Sequence, residues 1–159
     1  KSHYMNHLKF SRFLYFFLMF FIILSCDETG DADPDTPDPV DEVDPLDTQA
    51  ALFNGVWTVK DANSVTKDGT IVNVFTTMKL TVSGGTKDGG SYSTDHSEES
   101  GTEVWPNSGT WTFQNDDKAK ILRSDGVSVS ISLTENSLRA SFTVSGGVKD
   151  GNWVFDFVK

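Results

Sequence analysis

The chain has 159 residues, 37% of them hydrophobic, and sets 13 Lys and Arg against 23 Asp and Glu for a net charge of −10. That balance excludes a basic stripe for a nucleic-acid partner, and a single cysteine excludes an internal disulfide. The length allows one small domain with flanking segments.

Residues 1–24 hold Lys1, Lys9 and Arg12 and no acid, and Phe13 to Leu24 reads FLYFFLMFFIIL without interruption. A basic stretch before a short apolar core is the order of a secretory signal peptide. Twelve residues fall short of the roughly 20 that a bilayer-spanning helix needs. Met5 is the expected start, and residues 1–25 the expected signal peptide. The run ends in Ile23-Leu24-Ser25-Cys26, which holds the only cysteine. This stretch resembles the lipobox of bacterial lipoproteins. The resemblance implies lipid attachment at Cys26 and a membrane held as partner through that anchor, each buried methylene contributing about 0.8 kcal/mol. The acids directly after Cys26 resemble the surface-export signal of lipoproteins from Bacteroidetes-type bacteria, which implies an outer-membrane, cell-surface location. By the rule of enteric bacteria Asp27 implies inner-membrane retention instead, so the leaflet stays open.

From Asp27 to Asp47 there are ten acids and no base, with Pro34, Pro37, Pro39 and Pro45 among them. So little apolar surface cannot fold, and like charge extends the chain. Residues 26–51 are therefore expected to form a lipidated, disordered tether. Asp31, Asp33, Asp35 and Glu42 imitate part of a calcium loop, but Thr36 stands where such a loop needs glycine and Pro37 follows it. That departure argues against calcium. Losing residues 1–25 removes three bases and no acid, and the tether takes ten acids, so residues 52–159 keep 13 acids and ten bases. The acidity belongs to the tether.

Residues 52–159 alternate apolar and polar side chains and lack a sustained 3.6-residue period. Val72, Val74, Met78, Leu80 and Val82 share one expected face, Val127, Val129, Ile131 and Leu133 a second, and Leu138, Ala140, Phe142 and Val144 a third. Cutting at turn signals gives eight strands near 55–64, 71–83, 90–95, 108–114, 118–123, 127–134, 138–145 and 152–158. Eight antiparallel strands in order, with no helix to cover a sheet, predict an all-β up-and-down barrel. A two-sheet β-sandwich is the alternative.

Two stretches nearly repeat: TVSGGTKDGG at 81–90 and TVSGGVKDGN at 143–152. A phosphate cradle would need a helix after the glycines, and strand-like residues follow both copies. Lys-Asp-Gly suits a turn, with glycine in the left-handed position. Lys67-Asp68-Gly69 and Asp125-Gly126 repeat the device. In an eight-strand meander the two long copies belong at opposite ends of the barrel.

Gly55-Val56-Trp57 resembles the Gly-x-Trp that opens lipocalin domains. Ser108 to Phe113, SGTWTF, and Leu138 to Phe142, with its L-x-x-S-F pattern, are similar to strands of small lipocalin-like lipoproteins of Bacteroidetes-type bacteria. The resemblance implies a lipocalin-like barrel whose Trp57 plugs one end, covered by Arg123 or Arg139, and a small apolar molecule as ligand. The inward set is Val59, Met78, Leu80, Trp111, Phe113, Ile131, Phe142, Phe155 and Phe157; a barrel of this size is filled by such side chains or holds one small ligand. The candidate ligand-binding residues are Trp57, Met78, Trp105, Trp111, Phe113, Phe142 and Phe155.

The longest connection, Asp95 to Ser108, carries Trp105 either as a lid or as a partner contact. His96 lies there beside Asp95, Glu98 and Glu99, but one histidine among carboxylates is weak ground for a metal. No residue pattern nominates a nucleophile and base, so no catalytic residue and no cofactor are expected. The reading is a non-enzymatic binding barrel. An accessory or adhesion subunit docking on an outer-membrane or extracellular component is the alternative, followed by carbohydrate binding through exposed tryptophans.

Overall fold

A computed structural model describes residues 42–98 and 100–159. The expected signal peptide, Cys26 and the expected tether up to residue 41 lie outside the described residues. In chain order the elements are α1 (Pro45–Phe53), β1 (Gly55–Val59), β2 (Val65–Lys67), β3 (Thr70–Ile71), β4 (Lys79–Thr86), β5 (Gly89–Asp95), β6 (Ser108–Gln114), β7 (Asp117–Arg123), β8 (Ser128–Leu133), β9 (Ser137–Val144) and β10 (Gly151–Val158).

Eight of these strands pair antiparallel in the order β1-β4-β5-β6-β7-β8-β9-β10, and β10 returns to β1 through Thr58↔Val158 and Val59↔Phe157. The sheet is therefore a closed, all-antiparallel, eight-stranded barrel, not a sandwich. The first expected strand is real but interrupted: between Val59 and Val65 five residues, 60–64, stand against the single Asp156 of β10. Asp156 serves both sides, accepting from the Lys60 N–H at 3.0 Å and donating to the Ser64 carbonyl at 2.8 Å. The chain then pairs with β10 again as β2 and turns at Asp68-Gly69 into β3, both turn residues having positive φ as a two-residue hairpin requires.

The second expected strand, 71–83, is broken as well. Residues Asn73–Phe75 form a 3-10 turn between β3 and β4. The turn shifts the alternation by one, so Val74 faces solvent and Phe75 is fully buried. Phe75 meets Trp153, Phe155 and His96 edge to face, with centroids 5.4–6.0 Å apart. An extended strand would have sent this ring outward.

Residues 45–51 correct the expected tether. Asp44 caps α1 by accepting the Leu46 N–H at 2.9 Å, and Pro45 occupies the first turn, where its missing N–H costs nothing. Ala50 and Phe53 are buried on the barrel. One end, here the near end, is closed by α1, so the domain begins before residue 52 and is not free of helix. Asn54 ends the helix and joins it to β4. Its Oδ1 accepts the Gly85 N–H at 2.9 Å and its Nδ2 donates to the Gly85 carbonyl at 3.3 Å, imitating a strand neighbour beside the irregular stretch Ser83–Thr86. A Cβ on Gly85 would lie 2.8 Å from Asn54 Oδ1 and 3.0 Å from Trp111, which is why glycine stands there. Asn54→Ala strands both Gly85 groups and is expected to cost about 1–3 kcal/mol in urea unfolding, with an unchanged slope against denaturant.

The look-alike stretches do lie at opposite ends. Val82, just before the first turn, pairs with Gly55 at the near end, whereas Val144 and Gly151 flank the second turn at the other end of β10. They are built differently. Lys87 and Asp88 form a tight turn closed by Thr86↔Gly89, while the second copy leaves the sheet at Val144 and loops through 145–150. Contacts with the long connection at the far end, given below, account for that departure.

Candidate functional site

At the near end Trp57 is buried beneath α1, and its Nε1 donates to the Phe53 carbonyl at 2.8 Å. The cation over it is neither Arg123 nor Arg139. Lys159 Nζ sits 4.5 Å from the ring centroid and donates to the Leu52 carbonyl at 2.9 Å, so Lys159 pins the C-terminal turn of α1. Trp111 packs edge to face on Phe53 and Phe113.

At the far end the connection between β5 and β6 folds inward. Val104 and Trp105 are buried, and Trp105 meets Tyr92, Phe142, Phe155 and Phe157 edge to face at 5.1–6.4 Å. Arg123, 2% exposed, lies 5.1 Å from the Trp105 ring and 5.0 Å from the Phe142 ring. Its Nη1 donates to the Val104 carbonyl at 3.2 Å, and both Nε and Nη2 donate to the Asp125 carboxylate. One buried guanidinium thus fixes the plug. Burial pushes the Asp125 carboxyl upward, but hydrogen bonds and charge from Arg123 outweigh it and hold the group below its ordinary value. Burial raises the Tyr92 hydroxyl.

His96 Nε2 lies 3.3 Å from the Trp105 carbonyl oxygen, and its ring packs over Gly101, where a Cβ would come within 2.5 Å of it. Glu98 accepts from Lys149 at 2.9 Å, and that hydrogen bond lowers its carboxyl below the ordinary range. Lys149 also gives its carbonyl to Trp153 Nε1 at 2.9 Å, so the 145–150 loop is tied to the plug. Glu99 lies outside the described residues. Among the described residues no three His, Cys, Asp or Glu side chains converge as metal ligands, and no helix is long and apolar enough to cross a membrane.

The seven candidate ligand-binding residues are core. Trp57, Met78, Trp105, Trp111, Phe142 and Phe155 are all at most 5% exposed, and Phe113 packs partly buried against them. They occupy the space that an internal ligand would need. Trp105 is no partner-facing aromatic, and Trp111 and Trp153, at 1% exposure, offer no sugar platform. The inward set itself is as expected from alternation.

Three open grooves among the described residues lie outside the barrel. One of about 530 Å³ runs between α1 and the near-end turns, lined mainly by Asp44, Lys87, Asp88, Asp116 and Lys118. Two more, of about 310 and 340 Å³, lie on adjacent rungs of the β8-β9-β10 face. Sequence reasoning did not single out that face, although Ser128, Ser130, Ser132, Ser141 and Thr143 alternate with core residues in plain view. Comparison with protein families, with curated proteins and with solved structures finds no match.

Proposed function

We propose that this chain is a lipid-anchored, non-enzymatic binding module on the outer membrane, displayed at the cell surface, and that it works through the outside of its barrel rather than as a container. The observation that carries this reading is the filled interior, closed by α1 and Trp57 at one end and by Phe75 and Trp105 at the other. The lipobox-like Leu24-Ser25-Cys26 and the acidic stretch after it support the anchor and the display. An internal ligand would have to displace Trp105 and Val104, two side chains whose burial contributes about 1.5–3 kcal/mol each, before making any contact of its own. Docking on another cell-surface component needs no such opening.

Native mass spectrometry of the membrane-extracted protein tests both halves. The expected spectrum is a chain beginning at acylated Cys26 with no small molecule retained after gentle activation. A co-purified apolar molecule at one per chain would overturn the outer-surface reading. An unmodified cysteine would overturn the anchor.

A further inference from the structure

We infer that the β8-β9-β10 face is a binding trough for a neutral polysaccharide chain; this rests on the outer-surface reading above. The strand register sets outward side chains in rows. Across the middle run Lys120, Ser130, Ser141, Val154, Thr66 and Ile71, from β7 to β3. Toward the far end lie Ser128, Thr143 and Asn152; toward the near end lie Ser132, Arg139 and Asp156. The grooves of about 310 and 340 Å³ occupy these neighbouring rows of the same three strands. From Thr143 to Ser137 the trough follows β9 for about 20 Å at the rise of an extended strand.

Its chemistry narrows the occupant. Between β8 and β2 the middle row holds no charge; in the next row Arg139 and Asp156 pair with each other at 3.5 Å, and Lys60 lines the same groove beside them. The near-end groove, in contrast, is lined mostly by charged residues. A face whose centre is uncharged, with charges of both signs only at its margins, offers no continuous partner surface to an anionic or a cationic polymer. Hydroxyls donate and accept at once, and the Arg139 guanidinium and the Asp156 carboxylate are planar groups with paired polar atoms, suited to neighbouring hydroxyls on a sugar ring. Ser130 and Ser141 make no side-chain hydrogen bond among the described residues, whereas the Asn152 amide is already engaged, accepting from Thr143 at 2.8 Å and donating to Asp68 at 3.3 Å. Val154 and Ile71 give an apolar strip for the C–H face of a ring. A peptide adding itself as a strand would need an unpaired edge, and β8, β9 and β10 are paired on both sides.

The test is affinity electrophoresis of the detergent-solubilised full chain through gels containing xylan, glucomannan, hydroxyethyl cellulose or dextran, with polygalacturonate as an acidic comparison. At least one neutral polymer should retard the protein. Ser141→Glu, which places a charge in the middle row, and Arg139→Ala should each weaken that retardation at least tenfold with an unchanged melting temperature. Lys79→Glu on β4, outside the trough, should leave it intact. Retardation that survives Ser141→Glu would overturn the trough while leaving the outer-surface reading standing. Failure of every neutral polymer to retard the wild type, or equal retardation by polygalacturonate, would overturn the neutral-glycan assignment.

Discussion

Asp125→Ala should cost about 3–5 kcal/mol of folding stability, and more than Arg123→Met, which should cost about 1–3 kcal/mol. The asymmetry follows from burial. The Arg123 side chain is 1% exposed and that of Asp125 is 31% exposed. Removing the carboxylate strands a guanidinium between two aromatic rings with only the Val104 carbonyl left to it. Removing the guanidinium leaves a carboxylate that water can reach, and a methionine stem can keep part of the packing. Urea unfolding of the two variants checks the order; equal losses would mean that the pair acts only as packing. The pH dependence has a definite sign. A carboxyl held below its unfolded value near 3.9 contributes stability that is fully present above that pH and disappears as pH falls through the lower folded value. Asp125→Asn should therefore flatten the acid limb of the stability curve below about pH 4 and leave the slope at neutral pH unchanged.

Arg123 also shows where reading the sequence stopped. Alternation placed the inward residues of β6, β8, β9 and β10, because an outward-polar, inward-apolar strand leaves a period-two trace that needs no partner to interpret. In β7 it breaks down: Lys118, Ala119, Lys120, Ile121, Leu122, Arg123 looks like a weak strand ending in charge, and nothing local says that Arg123 turns inward. Its partners are Val104, Trp105, Asp125 and Phe142, three of which are remote in sequence. The helix before β1 was legible. Asp44-Pro45 is a start signal, and Leu46, Ala50 and Phe53 follow at helical spacing; the run of acids upstream drew them into the tether. The 3-10 turn at 73–75 was not legible, since Val72, Asn73, Val74 and Phe75 read equally well as extended chain until Phe75 is seen against Trp153 and Phe155. The candidate site suffered most. Large inward aromatics are compatible with a lined cavity or a filled core, and only volume decides between them.

Trp105→Ala should be the most damaging single truncation in the far-end plug, costing about 3–5 kcal/mol. The ring makes edge-to-face contacts with four aromatic side chains and carries the Arg123 guanidinium against its face. Such pairs contribute about 0.5–1.5 kcal/mol each beyond area, and the hole left behind is walled by strands that cannot collapse inward without breaking their ladders. Arg123 loses one of its two ring partners at the same time, so Trp105→Ala and Asp125→Ala should be non-additive, with the double variant losing less than the sum. Free indole separates a core residue from a gate. If Trp105 is core, indole should raise the melting temperature of Trp105→Ala by occupying the vacated volume, and leave the wild type unmoved at the same concentration, because ligand stabilisation requires a site that exists in the folded state. Indole raising the wild-type melting temperature as well would mean that the plug opens readily, and the barrel would then be a container after all. With the wild type unmoved, the interior is a packed core whose contribution is rigidity, holding the outward side chains of the closed barrel in register.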